Sequence, residues 1–223
     1  MTEAEWLEAS EPGNMLWFMG KALSQRKLRL FACICCRRIW PLMTDPASRQ
    51  AVEDSERYAD ALERSELLLR YDKDVASTQS IAKHGVGFGA SAACFVSSSQ
   101  MNWEMALNAT RYAIYALCPE SSPFATPEAE ARADSEEVAQ AELLRDIFGN
   151  PFRPVAFSPE WRTDTAVSLA KHMYESRDFD AMPILADALQ DAGCDSGAVL
   201  DHCRGPGPHV RGCWVVDLVL GKE

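Results

Sequence analysis

No basic segment leading into an apolar one opens this chain of 223 residues; the first stretch, MTEAEWLEASEP, is acidic, and a secretory signal is not expected. Nor does any apolar run approach the ~20 residues that a membrane span requires. Positive charge is in deficit: 22 Lys and Arg stand against 33 Asp and Glu, a formal charge of -11. That balance argues against general nucleic-acid binding, which needs Lys and Arg to displace phosphate counterions. Repeats of solenoid period and low-complexity tracts are also missing. Cysteine is not scarce, with eight residues, but three are packed into CICC and there is only one CxxC. Reduced thiols in a cytoplasmic protein are therefore expected, rather than a disulfide framework.

What is present is ordinary globular composition, 47% hydrophobic and 25% charged, in a chain long enough for one large domain or two small ones. Helix signals dominate. Thr2 with Glu5 forms a capping box ahead of Trp6 and Leu7. Asp45-Pro46, Thr126-Pro127 and Ser158-Pro159 each place a capping residue before a proline suited to a first helical turn. Gly193 and Gly221 stand where helix C-caps belong. In FDAMPILADALQDAGC, Asp178 or Asp180 is expected to cap a helix with Pro183 in its first turn and Ile184, Leu185, Ala188 and Leu189 on its buried face. Asp187 and Asp191, one turn apart, read as a solvated face rather than an acid pair. The expectation is an all-α fold: an irregular multi-helix bundle with a Pro-rich loop and a short C-terminal helix. Composition divides it into a helical half over 1–118, a linker over 119–128 and a second helical half over 129–223, packed together as one domain. The glycines of GVGFGA follow no strand, which a dinucleotide loop requires, so no cofactor is expected from them.

One segment departs from the acidic background: SQRKLRLFACICCRRIWPLM carries no carboxylate from Ser24 to Met43. On a helix, Leu28, Phe31, Cys35, Ile39 and Leu42 form an apolar stripe, and Arg26, Lys27, Arg37 and Arg38 project from the other side. Pro41 should end the helix near Trp40. The cationic face could receive an acidic partner, or its arginines could pair with carboxylates of the same chain such as those in EDSERYADALERSE.

Potential ligands crowd the other end, where Cys194, His202, Cys203, His209 and Cys213 lie within twenty positions. His209 and Cys213 would share a face if helical, but adjacent His202 and Cys203 point apart, and the spacings fit no familiar zinc pattern. A phosphate cradle is disfavoured because Pro206 and Pro208 each remove a backbone N–H. The expected reading is a turn that leads into a final buried helix, CWVVDLVL, with a metal site as the lesser alternative. Asp217, inside that apolar run, then needs a buried partner, and Arg204 and Arg211 are the nearest candidates.

The blocks RKLRLFACICCRRIW, LLRDIFGNPFRPV and HCRGPGPHVRGCWVVDLVLGK resemble those of a bacterial family of uncharacterised proteins, some of them described as similar to the SUKH immunity superfamily. That resemblance implies an α+β fold with a central sheet, and carries over no activity, cofactor or catalytic residue. LADALQDAG also resembles the YADWLEERG segment of a short bacterial repeat-companion module, with Ala188 in place of the tryptophan. The functional expectation is a non-catalytic interaction or regulatory module with a protein partner and no membrane association. Two alternatives stand beside it. One is a thiol-dependent hydrolase with Cys203 or Cys213 as nucleophile and His202 or His209 as base. The other is a zinc-stabilised structural domain.

Overall fold

In a computed structural model, residues 1–20, 23–60, 87–98, 100–118 and 126–222 are described. The fold is all-α, and no strand occurs among the described residues, in contrast to the sheet implied by the SUKH resemblance. The helices are α1 (Glu3–Glu8), α2 (Pro12–Met19), α3 (Gln25–Arg38), α4 (Pro46–Asp60), α5 (Phe88–Val96), α6 (Trp103–Leu117), α7 (Pro127–Phe148), α8 (Asp164–Ser176), α9 (Met182–Asp191), α10 (Gly197–Arg204) and α11 (Trp214–Leu220). Two compact units divide at Ala141/Glu142, inside α7, whereas composition placed the division at 119–128. Residues 119–125 of that linker lie outside the described residues, as do 75–86 of the Ala/Ser/Gly-rich stretch.

Local signals explain most helix starts. Thr2 and Glu5 form the expected reciprocal capping box. Asp45 accepts from the Ser48 amide at 2.9 Å, and Thr126 Oγ1 accepts from Ala129 at 3.3 Å, each just ahead of a proline at the first helical position. Ser158-Pro159 is the exception. It opens only a 3-10 turn, Pro159–Trp161, and α8 starts later, with Thr163 accepting from Ala166. In α9 neither Asp178 nor Asp180 is the cap: Ala181 holds that position, and Asp178 Oδ1 instead accepts from the Asp180 amide in the preceding turn. The buried face is Met182, Leu185, Ala186 and Leu189, a three/four spacing that leaves Ile184 exposed.

In the unit Met1–Ala141, α3 packs against α4, α5 and α6, and α2 lies on α6. Leu28, Phe31, Cys35 and Ile39 are buried as the stripe requires, but Leu42, in the 3-10 turn Trp40–Leu42 that follows the helix, is exposed. Arg29 is almost fully buried and donates to the carbonyls of Val96 and Ser98 at 2.9 and 2.7 Å and to Ser55 Oγ at 3.2 Å. A guanidinium in a core persists only when its donors meet acceptors, and here it joins α3, α4 and the end of α5.

The unit Glu142–Glu223 packs α8 against α9 and α11, and α10 against α9 and α11. Its core gathers Met173, Leu185, Leu189, Val199, Val215, Val216 and Val219. The last apolar run is a helix, as expected, and Gly221 closes it in the left-handed conformation.

Candidate metal centre

Four segments of the C-terminal unit each present one side chain to a common point. The last turn of α7 supplies Asp146, α10 supplies His202, the RGPGPHVRG loop supplies His209, and the N-cap of α11 is Cys213. Their ligand atoms all lie within 4.8 Å of one another. His209 Nδ1 is 3.0 Å from Asp146 Oδ1, and His202 Nε2 is 3.2 Å from the same oxygen. His202 Nε2 is also 3.2 Å from Cys213 Sγ. A zinc tetrahedron with ordinary Zn–N, Zn–O and Zn–S bonds has edges of about 3.3–3.6 Å, so seating an ion widens the contacts of 3.0–3.2 Å and draws together the most separated atoms, which lie within 4.8 Å.

The surroundings hold this set in place. Asp146 Oδ2 accepts from the Val210 amide at 3.0 Å, which orients the carboxylate and leaves Oδ1 to the histidines. The Trp214 ring lies 5.1 Å from that of His202 and covers one side of it. Gly149, just beyond α7, makes this possible: φ is +69° there, and a Cβ would come within 3.3 Å of the Trp214 ring. Gly207 is equally constrained, at φ +84° with a virtual Cβ 3.0 Å from the His209 amide nitrogen, so the loop turns back toward His209 only with glycine at this position.

Burial governs the chemistry. The Asp146 side chain is 1% exposed, His209 8%, His202 20%, and Cys213 is fully enclosed. Burial pushes the Cys213 thiol well above its ordinary pKa and the charge of Asp146 adds to this, against the Val216 and Val215 amides that pull it down. Arg145, half-buried on the same helix, is lowered by desolvation.

Of the five residues singled out in sequence, the structure brings together His202, His209 and Cys213. Cys194 and Cys203 belong instead to the apolar core, where burial raises both thiols, Cys203 to about 12. Asp146 was missed, because it lies 56 positions before His202 in LLRDIFGN and no local spacing links the two. Asp217 is buried as expected. Arg204 donates to Asp187 Oδ1 at 3.0 Å and Gln190 Oε1 at 2.6 Å, and the Arg211 guanidinium lies over the Tyr174 ring.

The cationic helix resolves in favour of its own chain. Arg37 pairs with Glu56 at 2.8 Å, Arg26 with Asp60 at 3.1 Å and Arg38 with buried Glu136 at 2.8 Å. Two of these carboxylates belong to EDSERYADALERSE. Lys27, beside them, contributes its amide to the Ser24 cap. The Cys33, Cys35 and Cys36 thiols are buried and raised, Cys33 to about 12. No protein-family model, curated protein or solved structure matches the chain.

Proposed function

We propose that this is a non-catalytic regulatory module whose C-terminal unit is stabilised by one zinc ion, held by Asp146, His202, His209 and Cys213. The convergence of four ligand atoms from four separate segments within 4.8 Å carries the reading. Four protein ligands are the mark of a structural rather than an open catalytic site. A carboxylate and a thiolate also balance the two charges of zinc, which suits an enclosed position. The unit is small, and an ion tying α7, α10, the loop and α11 together supplements a limited apolar core.

The thiol-enzyme alternative is supported less well. A catalytic base divides its two ring nitrogens, one toward the nucleophile and one toward the orienting acid. Here one nitrogen, His202 Nε2, faces both Cys213 and Asp146, which is the arrangement of ligands around an ion. An enclosed thiol raised by burial is also a poor nucleophile. The cationic face of α3 gives little support to a docking role, since Arg26, Arg37 and Arg38 all have intrachain carboxylates. Elemental analysis of protein purified without chelator tests the proposal. About one zinc per chain is expected, and zinc well below equimolar counts against it.

A further inference from the structure

A cavity of about 260 Å³ adjoins the converging side chains. Asp146, His202 and His209 line it, together with Glu142 and Arg145 of α7 and the loop over 205–208. Cys213 is fully enclosed and is not part of the lining. An ion that comes from solvent by this route meets the Asp146 carboxylate and the two imidazoles before it meets the thiol.

Helix α7 puts a second carboxylate on that route. Glu142 stands four residues before Asp146, so the two share one face of the helix, a turn apart. Asp146 is committed: its side chain is 1% exposed, Oδ1 faces both histidines, and Oδ2 accepts from the Val210 amide. Glu142 is the opposite. It is exposed, and among the described residues no hydrogen bond or ion pair engages its carboxylate. Arg145, three residues on, feels the Glu142 charge and offsets part of it. With neutral imidazoles, the form that binds metal, the lining still holds two carboxylates to one guanidinium. That excess attracts cations and repels anions. A hydrated zinc ion sheds its waters as protein atoms replace them, and a carboxylate oxygen is among the ligands it accepts. An exposed, uncommitted carboxylate can supply the first such oxygen while the ion keeps most of its water. Asp146 and the imidazoles then replace further waters, and the Cys213 proton passes to solvent as its sulfur binds.

We infer that Glu142 is the entry ligand of the metal centre: it takes the hydrated ion on the solvent side of the cavity and passes it one helical turn to Asp146. It is not a ligand of the bound ion, and it is not among the side chains whose atoms converge within 4.8 Å. This role rests on the zinc reading and adds exchange to it. Zinc enters and leaves the folded protein by the cavity, so occupancy follows the free zinc outside and is not sealed in when the chain folds. In a regulatory module the ion is then a signal that the C-terminal unit reads, as well as a brace for it.

The test uses the full chain, stripped of metal and mixed rapidly with cobalt(II), whose sulfur charge-transfer band reports arrival at Cys213. Release is followed as excess zinc displaces the cobalt. Both are measured at about 0.15 M salt, where long-range charge effects are largely screened. Glu142→Gln should slow uptake and release alike by about three- to tenfold, and weaken the equilibrium affinity by no more than about twofold. Glu175→Gln, which removes an exposed carboxylate of the same unit outside the cavity, should change neither rate. Unchanged rates in Glu142→Gln with the sulfur band intact overturn the entry role and leave the metal centre standing. Equal slowing in Glu175→Gln overturns it too, since general charge alone would then set the rate. An affinity loss without slower uptake makes Glu142 a ligand of the bound ion, which also overturns it. Absence of the sulfur band in the wild type removes both the entry role and the metal centre.

Discussion

Replacing Cys213 by alanine separates what the metal contributes from what packing contributes. Cys213 is fully enclosed, so the substitution deletes a buried methyl-sized group and costs about 1 kcal/mol whether or not metal is present. The metal term is larger and conditional: free zinc at a hundred times its dissociation constant stabilises the folded state by about 2.7 kcal/mol. For a chain of this size that is roughly 5–11 °C in melting temperature. Scanning calorimetry of the wild type and Cys213→Ala, each with zinc and with chelator, gives four transitions. Zinc should raise the wild-type transition that reports the C-terminal unit by that amount. In Cys213→Ala the gain should fall to a small fraction, while the two proteins in chelator differ only by the packing term. Equal melting of the wild type with zinc and with chelator would refute the reasoning, as would a full zinc gain in the variant.

Further outcomes follow from the same geometry. Gly207→Ala should lower zinc affinity at least tenfold and destabilise the C-terminal unit by about 1–3 kcal/mol, measured by metal titration and calorimetry, because φ is +84° and the new Cβ meets the His209 amide nitrogen. Arg29→Met should cost about 2–4 kcal/mol in denaturant unfolding, since it strands the buried carbonyls that the guanidinium serves. Cys33, Cys35 and Cys36 should resist iodoacetamide in the native protein at neutral pH and react after unfolding, read by mass spectrometry; native labelling would contradict their burial. The Cys33 pKa is raised on folding, so its contribution to stability is fully present below the ordinary value of 9.0 and is lost as pH rises toward about 12. Unfolding measured across that window should show stability of the N-terminal unit falling with pH, and less steeply in Cys33→Ala.

The all-α class was legible because its signals are local. A capping box at Thr2, proline after Asp45 and after Thr126, and the spacing of Leu28, Phe31 and Cys35 each act within a few residues. Errors fell where local signals compete. Ser158-Pro159 yields only a single 3-10 turn, and Thr163 supplies the cap that α8 uses. Leu42 continues a helical stripe on paper, but the chain leaves the helix after Arg38, with Pro41 unable to donate to its ladder. Asp178 satisfies a turn amide and is spent before α9 begins.

The candidate site was legible only in part. His202, His209 and Cys213 draw attention through chemistry and nearness in sequence, yet their spacings match no zinc knuckle because each lies on a different element. Asp146 could not be placed with them from spacing, since the end of α7 meets the loop only through the tertiary fold of the C-terminal unit. The one local hint was GN after DIF: Gly149 ends α7 and fits beneath Trp214, a residue adjacent to Cys213. The pairing of Arg37 with Glu56 and of Arg26 with Asp60 was better specified, because opposite charge blocks on α3 and α4 lie close in sequence and on packed helices.

X-ray absorption at the zinc edge, on protein purified without chelator, tests the central claim most directly. The account predicts one zinc with a single sulfur at about 2.3 Å and nitrogen and oxygen neighbours at about 2.0–2.2 Å, the sulfur disappearing in Cys213→Ala. A first shell without sulfur, or one with two or more, would contradict it.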